Sequence, residues 1–347
     1  MGRLLLSILL LATFVTAQAD ENQAVVLMYH RFGESQHPST NIKLAQFDAH
    51  LDYLAQAGYE VWPLRKVVQF LSENRPFPTR VVAISIDDAY LSVYTEAYPR
   101  MRKRGLPFTV FVSTDAVDER ISAFMSWQQM REMQVHNVAF ENHSASHDYL
   151  VRQEQGETEA QWLKRVTADI NRAQQRITEE LGSSATLFAY PYGEYSTTLA
   201  NLIKDSGLTA FGQHSGPAGL DYDQRALPRF PMAEQFGAID DFKQKVQTMA
   251  FPLSAVQPWD PLLDEQAANA PRMEVQLGDS TARLDQLACF AAGEGKVDIE
   301  WLDRKARHFS VQASKVLAKG RSRYNCTAPS LQSGRYYWFS HLWITPH

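Results

Sequence analysis

At 347 residues the chain is long for one domain and fits two. Its 45% hydrophobic and 11% aromatic content is enough for a packed core, which excludes a disordered protein. A formal net charge of −5 offers no surface of clustered Lys and Arg, so nucleic acid is not an expected partner.

The first nineteen residues have the pattern of a signal peptide: Arg3, an apolar run from Leu4 to Val15, and Ala17-Gln-Ala19 as a small-residue cleavage site. A retained N-terminal anchor is the alternative. No later stretch approaches the ~20 apolar residues that a membrane span needs. The mature chain is therefore expected from Asp20 onward, periplasmic or secreted. Its two cysteines, Cys289 and Cys326, are then free to pair, for about 3–4 kcal/mol of stabilisation, or to remain as buried thiols.

After the leader, strands and helices alternate. Val25–Tyr29 reads as a buried strand, and Phe47, Leu51, Leu54 and Ala55 recur at helical spacing up to Gly58. Tyr59–Trp62, the helix Leu64–Leu71 and the Arg75-Pro-Phe-Pro78 turn lead to a strand at Val81, and Leu91–Arg104 reads as one helix. Phe108–Val112 is β-branched and aromatic. Ser126 can cap a helix through Gln134, and Val138–Phe140 is a short strand. Glu157–Leu181 is a long helix with Trp162, Val166, Ile170 and Ile177 on its apolar stripe. Thr186–Ala189, the helix Thr197–Asp205 and Leu208–Phe211 complete a β/α series, the pattern of a parallel sheet. From 253 to 271 Pro, Ala and Gln suggest a linker, and the short runs of 272–347 suggest an antiparallel β-sandwich. The aromatic run from Arg335 to Trp343 could stack on sugar faces or fill that sandwich's core.

Three stretches carry chemistry. Val81–Ile86 is a buried-strand sequence that ends on Asp87 and Asp88, where parallel sheets place ligands. Two adjacent, partly desolvated carboxylates repel unless a cation lies beside them. Taken alone, the pair is more often the cap of the following helix. His143 and His147 are four apart, so one helical turn would aim both imidazoles the same way. Two histidines and a carboxylate make a three-ligand zinc site with a position open to water. Phe188–Gly193 is a strand end running into a Pro/Gly turn.

Ile86-Asp-Asp-Ala-Tyr90, His143-Ser-Ala-Ser-His147 and Tyr190-Pro-Tyr-Gly193, in that order, resemble the leading motifs of the polysaccharide deacetylases, the NodB-like family-4 carbohydrate esterases. The resemblance runs from about Val25 to Phe251. The opening Val25-Val-Leu-Met-Tyr-His30 is similar to the poly-N-acetylglucosamine deacetylase branch, in which the barrel is circularly permuted. The resemblance implies a distorted (β/α) barrel over 20–252, a divalent metal on Asp88, His143 and His147, and Asp87 as general base. Zinc suits two nitrogens and one oxygen, and nickel or cobalt also fits. It further implies that the Tyr192 backbone N–H holds the oxyanion and that Tyr190 and Pro191 line the substrate. His30 and His214 compete as the acid, with strand-end position favouring His30. Ala89 replaces the usual glycine, which matters little if that residue is helical. Ala189 stands where many relatives carry an arginine that orients the catalytic aspartate, and Arg229 is the candidate replacement. An N-acetylated glycan is the implied substrate. O-deacetylation or silent carbohydrate binding are the alternatives, and nothing in the residues sets an oligomeric state.

Overall fold

The computed structural model describes residues 21–264, 269–332 and 334–345. The expected signal peptide, 1–19, lies outside them. Among the described residues no helix is long and apolar enough to cross a membrane.

Six strands run parallel in chain order: β1 (Gln23–Tyr29), β2 (Val81–Asp87), β3 (Phe108–Val112), β4 (Val138–Asn142), β5 (Leu187–Ala189) and β6 (Thr209–Phe211). β1 to β4 are fully or almost fully buried, which explains why they read as unbroken apolar runs. A single segment bridges the two edges of this sheet. Leu227 pairs in parallel with Phe211, and three residues later β7 (Phe230–Pro231) pairs in parallel with Leu27 and Met28 of β1. The sheet thereby curls into a distorted barrel with helices outside, and Arg229 rides on the closing segment. β1 lies beside β2, so His30 follows a strand end directly next to Asp87.

Two local readings differ from expectation. The helix expected over Leu91–Arg104 is broken by a π-helical turn, Val93–Ala97, because Pro99 has no N–H to offer the carbonyl four residues back. Ala89 is not helical: its φ is +59, after +74 at Asp88, and its methyl is fully buried. A left-handed alanine costs roughly 1 kcal/mol where glycine is free, so the departure from glycine does carry a penalty.

From Met249 onward two antiparallel sheets face each other. The strands are β8 (Leu253–Gln257), β9 (Arg272–Leu277), β10 (Ala288–Ala291), β11 (Gly295–Val297), β12 (Ile299–Asp303), β13 (His308–Gln312), β14 (Gly320–Pro329) and β15 (Tyr336–Thr345). One sheet runs β15-β14-β10-β11 with Met249–Ala250 at its edge, and the other β8-β9-β13-β12. The linker expected over 253–271 is thus corrected at its start: Leu253-Ser-Ala-Val-Gln257 is strand β8, because it pairs with β9 ahead of the first proline. Cys289 and Cys326 stand opposite each other on β10 and β14 and are joined.

The aromatic run of β15 is buried on both faces, which accounts for its composition. Tyr337, Phe339 and Trp343 point into the sandwich core. The alternate residues Trp338, Leu342 and Ile344 pack on the barrel, with Trp338 edge-on to Phe230 at 5.6 Å. Those rings are core, not a sugar platform. A chain ended at residue 252 is accordingly expected to melt well below the full chain, since it loses part of the barrel's own packing. Equal melting temperatures for fragment and full chain would contradict this.

Three histidines away from the Asp87 and Asp88 carboxylates are buried neutral. Burial pushes His50 and His341 down to about 4 and His214 to about 3. The unfolded chain binds protons that the folded chain refuses, so this stability is complete above pH 6.5 and is lost as pH falls. The expected loss is about 2 kcal/mol per histidine between pH 6.5 and 5. Urea unfolding at the two pH values measures it, and a flat profile would exclude it.

Candidate active site

Asp88, His143 and His147 come together at the mouth of the barrel, and among the described residues they form the one group able to hold a metal ion. Asp88 Oδ1 lies 3.2 Å from His143 Nε2 and 3.0 Å from His147 Nε2, and the three ligand atoms fall within 4.8 Å of one another. Asp88 Oδ1 and His143 Nε2 are buried without a hydrogen-bond partner. Buried polar atoms that converge on one point without bonding each other fit a cation there. His143 Nδ1 lies 2.7 Å from the Ala189 carbonyl, which fixes that nitrogen as the donor and leaves the Nε2 lone pair facing the site. His147 keeps 26% of its side chain exposed, so one side of the group remains open.

The histidines converge by a different device from the helical turn expected of their spacing. Residues 143–147 form a loop with Ser144 at φ +65 and His147 at φ +59. Side chains hold it: Asn142 Oδ1 accepts the Ser144 N–H, Ser144 Oγ accepts that of His147, and the Asp169 carboxylate accepts those of Ala145 and Ser146. Asp169 did not stand out in the sequence, yet a signal was there. It sits between Val166 and Ile170 on the buried face of Glu159–Leu181, where an unexplained carboxylate is costly.

Asp87 is fully buried at the end of β2 and faces Arg229, which is also fully buried. Arg229 Nη1 and Nη2 donate to the two carboxylate oxygens at 2.7 and 2.8 Å. Its Nε donates to the Gly212 carbonyl at 3.0 Å and Nη1 also to Ser85 Oγ at 3.1 Å. The guanidinium fork thereby makes the arginine contact to Asp87 that Ala189 cannot make. Burial alone pushes the Asp87 carboxyl up, and the charge of Arg229, with His143 and His30, more than reverses this, so Asp87 stays ionised. His30 Nε2 is 3.9 Å from Asp87 Oδ2, and burial holds its imidazole below the ordinary value and so neutral.

Tyr192 has φ +59, and its ring is edge-on to His147 at 4.7 Å and stacked on Tyr149 at 3.9 Å. Two expected site residues lie elsewhere. Tyr190 is fully buried, and its hydroxyl donates to the Arg225 carbonyl, because its strand turns that ring into the core with Phe188 and Tyr195. His214 packs with Tyr195 beside β15, in a different cavity from His30, and serves Arg229 only through its backbone carbonyl. Pro191 is buried in the turn before Tyr192. Arg321 and Arg323 of β14, unnoticed in the sequence, line the same cavity of about 370 Å³ as His30 and Tyr192.

A curled parallel sheet with Asp-Asp, His-x-x-x-His and Tyr-Pro-Tyr-Gly at its strand ends defines a deacetylase-type barrel, and residues 74–211 match the polysaccharide deacetylase family model. Over that stretch the chain is similar to a polysaccharide deacetylase domain of the NodB, family-4 carbohydrate esterase type. It is similar to the poly-beta-1,6-N-acetyl-D-glucosamine N-deacetylase of Staphylococcus aureus (strain MRSA252), 25% identical over 206 residues, 54% of this chain and 71% of that protein. Among solved structures, IcaB from Ammonifex degensii superposes with a TM-score of 0.55 at 26% identity over 65% of this chain and 97% of its own. The Streptococcus pyogenes deacetylase PplD, at 21% identity, shares the fold with a TM-score of 0.59 over 65% of this chain and 98% of its own.

Proposed function

We propose that this chain is an exported, metal-dependent N-deacetylase that hydrolyses acetamide groups on a glycan containing N-acetylglucosamine. The observation that carries the reading is the pairing of an Arg229-clamped Asp87 with the Asp88, His143 and His147 group at one barrel mouth. The name of the staphylococcal relative supports the substrate class. In this reading 20–252 is the catalytic unit, with the sandwich packed against it.

A divalent ion on Asp88, His143 and His147, zinc by donor chemistry and nickel or cobalt as substitutes, supplies Lewis acidity toward the acetamide carbonyl and toward a water. The remaining work falls to the chain. Asp87 takes the proton from the attacking water, and Arg229 keeps it ionised and aimed. The Tyr192 backbone N–H supports the developing oxyanion, held by a turn whose left-handed φ fixes its direction. His30, neutral at rest, becomes an acid by taking up the proton that Asp87 has removed from the water, 3.9 Å away, and gives that proton to the departing nitrogen, so both residues end as they began.

Acetate release from N-acetylglucosamine oligomers, compared with acetylated xylan, tests this reading. The expected result is release from the oligomers. Release from xylan alone would make the protein an O-deacetylase, and release from neither would leave a carbohydrate-binding protein.

A further inference from the structure

The cleft beside His30 is walled on one side by the sandwich, and that wall is positively charged. Arg321 and Arg323 are two apart on β14, so their side chains leave the same face of the sheet, opposite the core-facing Ser322, Tyr324 and Cys326. Both enter the cavity that His30, Tyr192 and Gln213 line. Arg321 donates through Nη1 to the Tyr192 carbonyl, which pins its guanidinium to the residue that packs on His147.

Counter-charge is short here. Arg321 Nε is 3.7 Å from Glu194, but that carboxylate also lies 3.5 Å from Arg152. Arg323 has no carboxylate within ion-pair distance among the described residues. Its one hydrogen bond among the described residues is a long one, 3.4 Å, to the Gln213 carbonyl. A glutamine could make that bond equally well, so interface packing does not require the charge. Burial and the like charge of Arg321 both act against the Arg323 cation. A half-buried guanidinium next to another guanidinium is stabilised when an anion enters between them, and the planar fork suits a carboxylate.

We propose that Arg321 and Arg323 bind a carboxylate of the glycan, so that the chain acts on an acidic polymer in which the N-acetylhexosamine neighbours a carboxylate-bearing unit. This rests on the deacetylase reading above. The carboxylate comes either from a hexuronate next in the chain or from a carboxyalkyl ether on the hexosamine itself. Both present the same anion to the same pair.

The test compares kcat/KM for acetate release from three tetrasaccharides: neutral N-acetylglucosamine, alternating N-acetylglucosamine and glucuronate, and one with a lactyl ether on the acetylated sugar. At low salt at least one acidic substrate is expected to exceed the neutral one by about tenfold or more, and which one it is identifies the source. That ratio is expected to shrink in ~0.5 M salt, to fall about tenfold in Arg323→Gln and in Arg321→Gln, and to survive in part in Arg323→Lys. Equal rates on all three, or a ratio unmoved by both glutamine variants, would overturn the proposal. If no acetate is released from any of them, equilibrium binding of the same tetrasaccharides to the full chain decides. Acid-selective binding lost in Arg323→Gln upholds the arginine site while the deacetylase reading fails, and unselective or absent binding overturns the site too.

Discussion

Asp87→Asn is expected to lower acetate release by ~10²–10⁴-fold while the protein retains its metal, because the amide cannot take a proton and Asp88 is untouched. The structure adds a second consequence. Asp87 and Arg229 form a bidentate pair with both side chains fully buried, and an asparagine leaves the guanidinium uncompensated in the barrel. Breaking one side of such a pair costs about 3–5 kcal/mol, so the variant should also melt earlier. Arg229→Gln should destabilise similarly, and the double variant less than the sum of the two, since neither charge is then stranded. Metal content, melting temperature and turnover measured together separate these effects. Near-normal turnover in Asp87→Asn would remove it as the base.

His30→Ala should cut amide turnover by ~10²–10⁴-fold with metal binding intact. The imidazole stands on the strand beside β2, its Nε2 3.9 Å from Asp87 Oδ2, and it lines the open cavity. An acetyl ester with a leaving group that needs no proton should be hydrolysed by the variant almost as fast as by the parent. His214→Ala should leave the amide rate largely unchanged, because that ring sits in another cavity. A dead His214 variant beside a healthy His30 variant would move the acid to the later loop.

Much of the barrel was legible because its strands are covered on both faces. Continuous runs such as Val81–Ile86 and Phe108–Val112 announce themselves without periodicity. The approach of Asp88 to His143 and His147 was likewise anticipated, but for a partly wrong reason. Spacing suggested a helical turn, whereas Asn142, Ser144 and Asp169 build a loop that reaches the same end. Ala89 was misread for a related cause: nothing in a single alanine reveals that its backbone must be left-handed. β14 lies in the region read as a sandwich, but it does not stand out as a strand although its burial alternates at every second residue, since its small and polar inward residues, Ser322, Cys326 and Ala328, do not look like core. Arg321 and Arg323 lie about 130 residues beyond Tyr192 and meet it only through the packing of two sheet systems, for which a local pattern carries no signal. Tyr190 and His214 illustrate the converse. They lie close in sequence to residues that line the cavity, Tyr192 and Gln213, yet the strand and the loop turn their side chains away.

The most direct test of the account is a metal titration read against acetate release. Stripped protein should be inactive, should bind one divalent ion per chain, and should regain turnover in proportion to occupancy. His143→Ala should fold yet show neither tight binding nor recovery. Full-rate release by the stripped protein, or full occupancy in His143→Ala, would contradict a centre built on Asp88, His143 and His147.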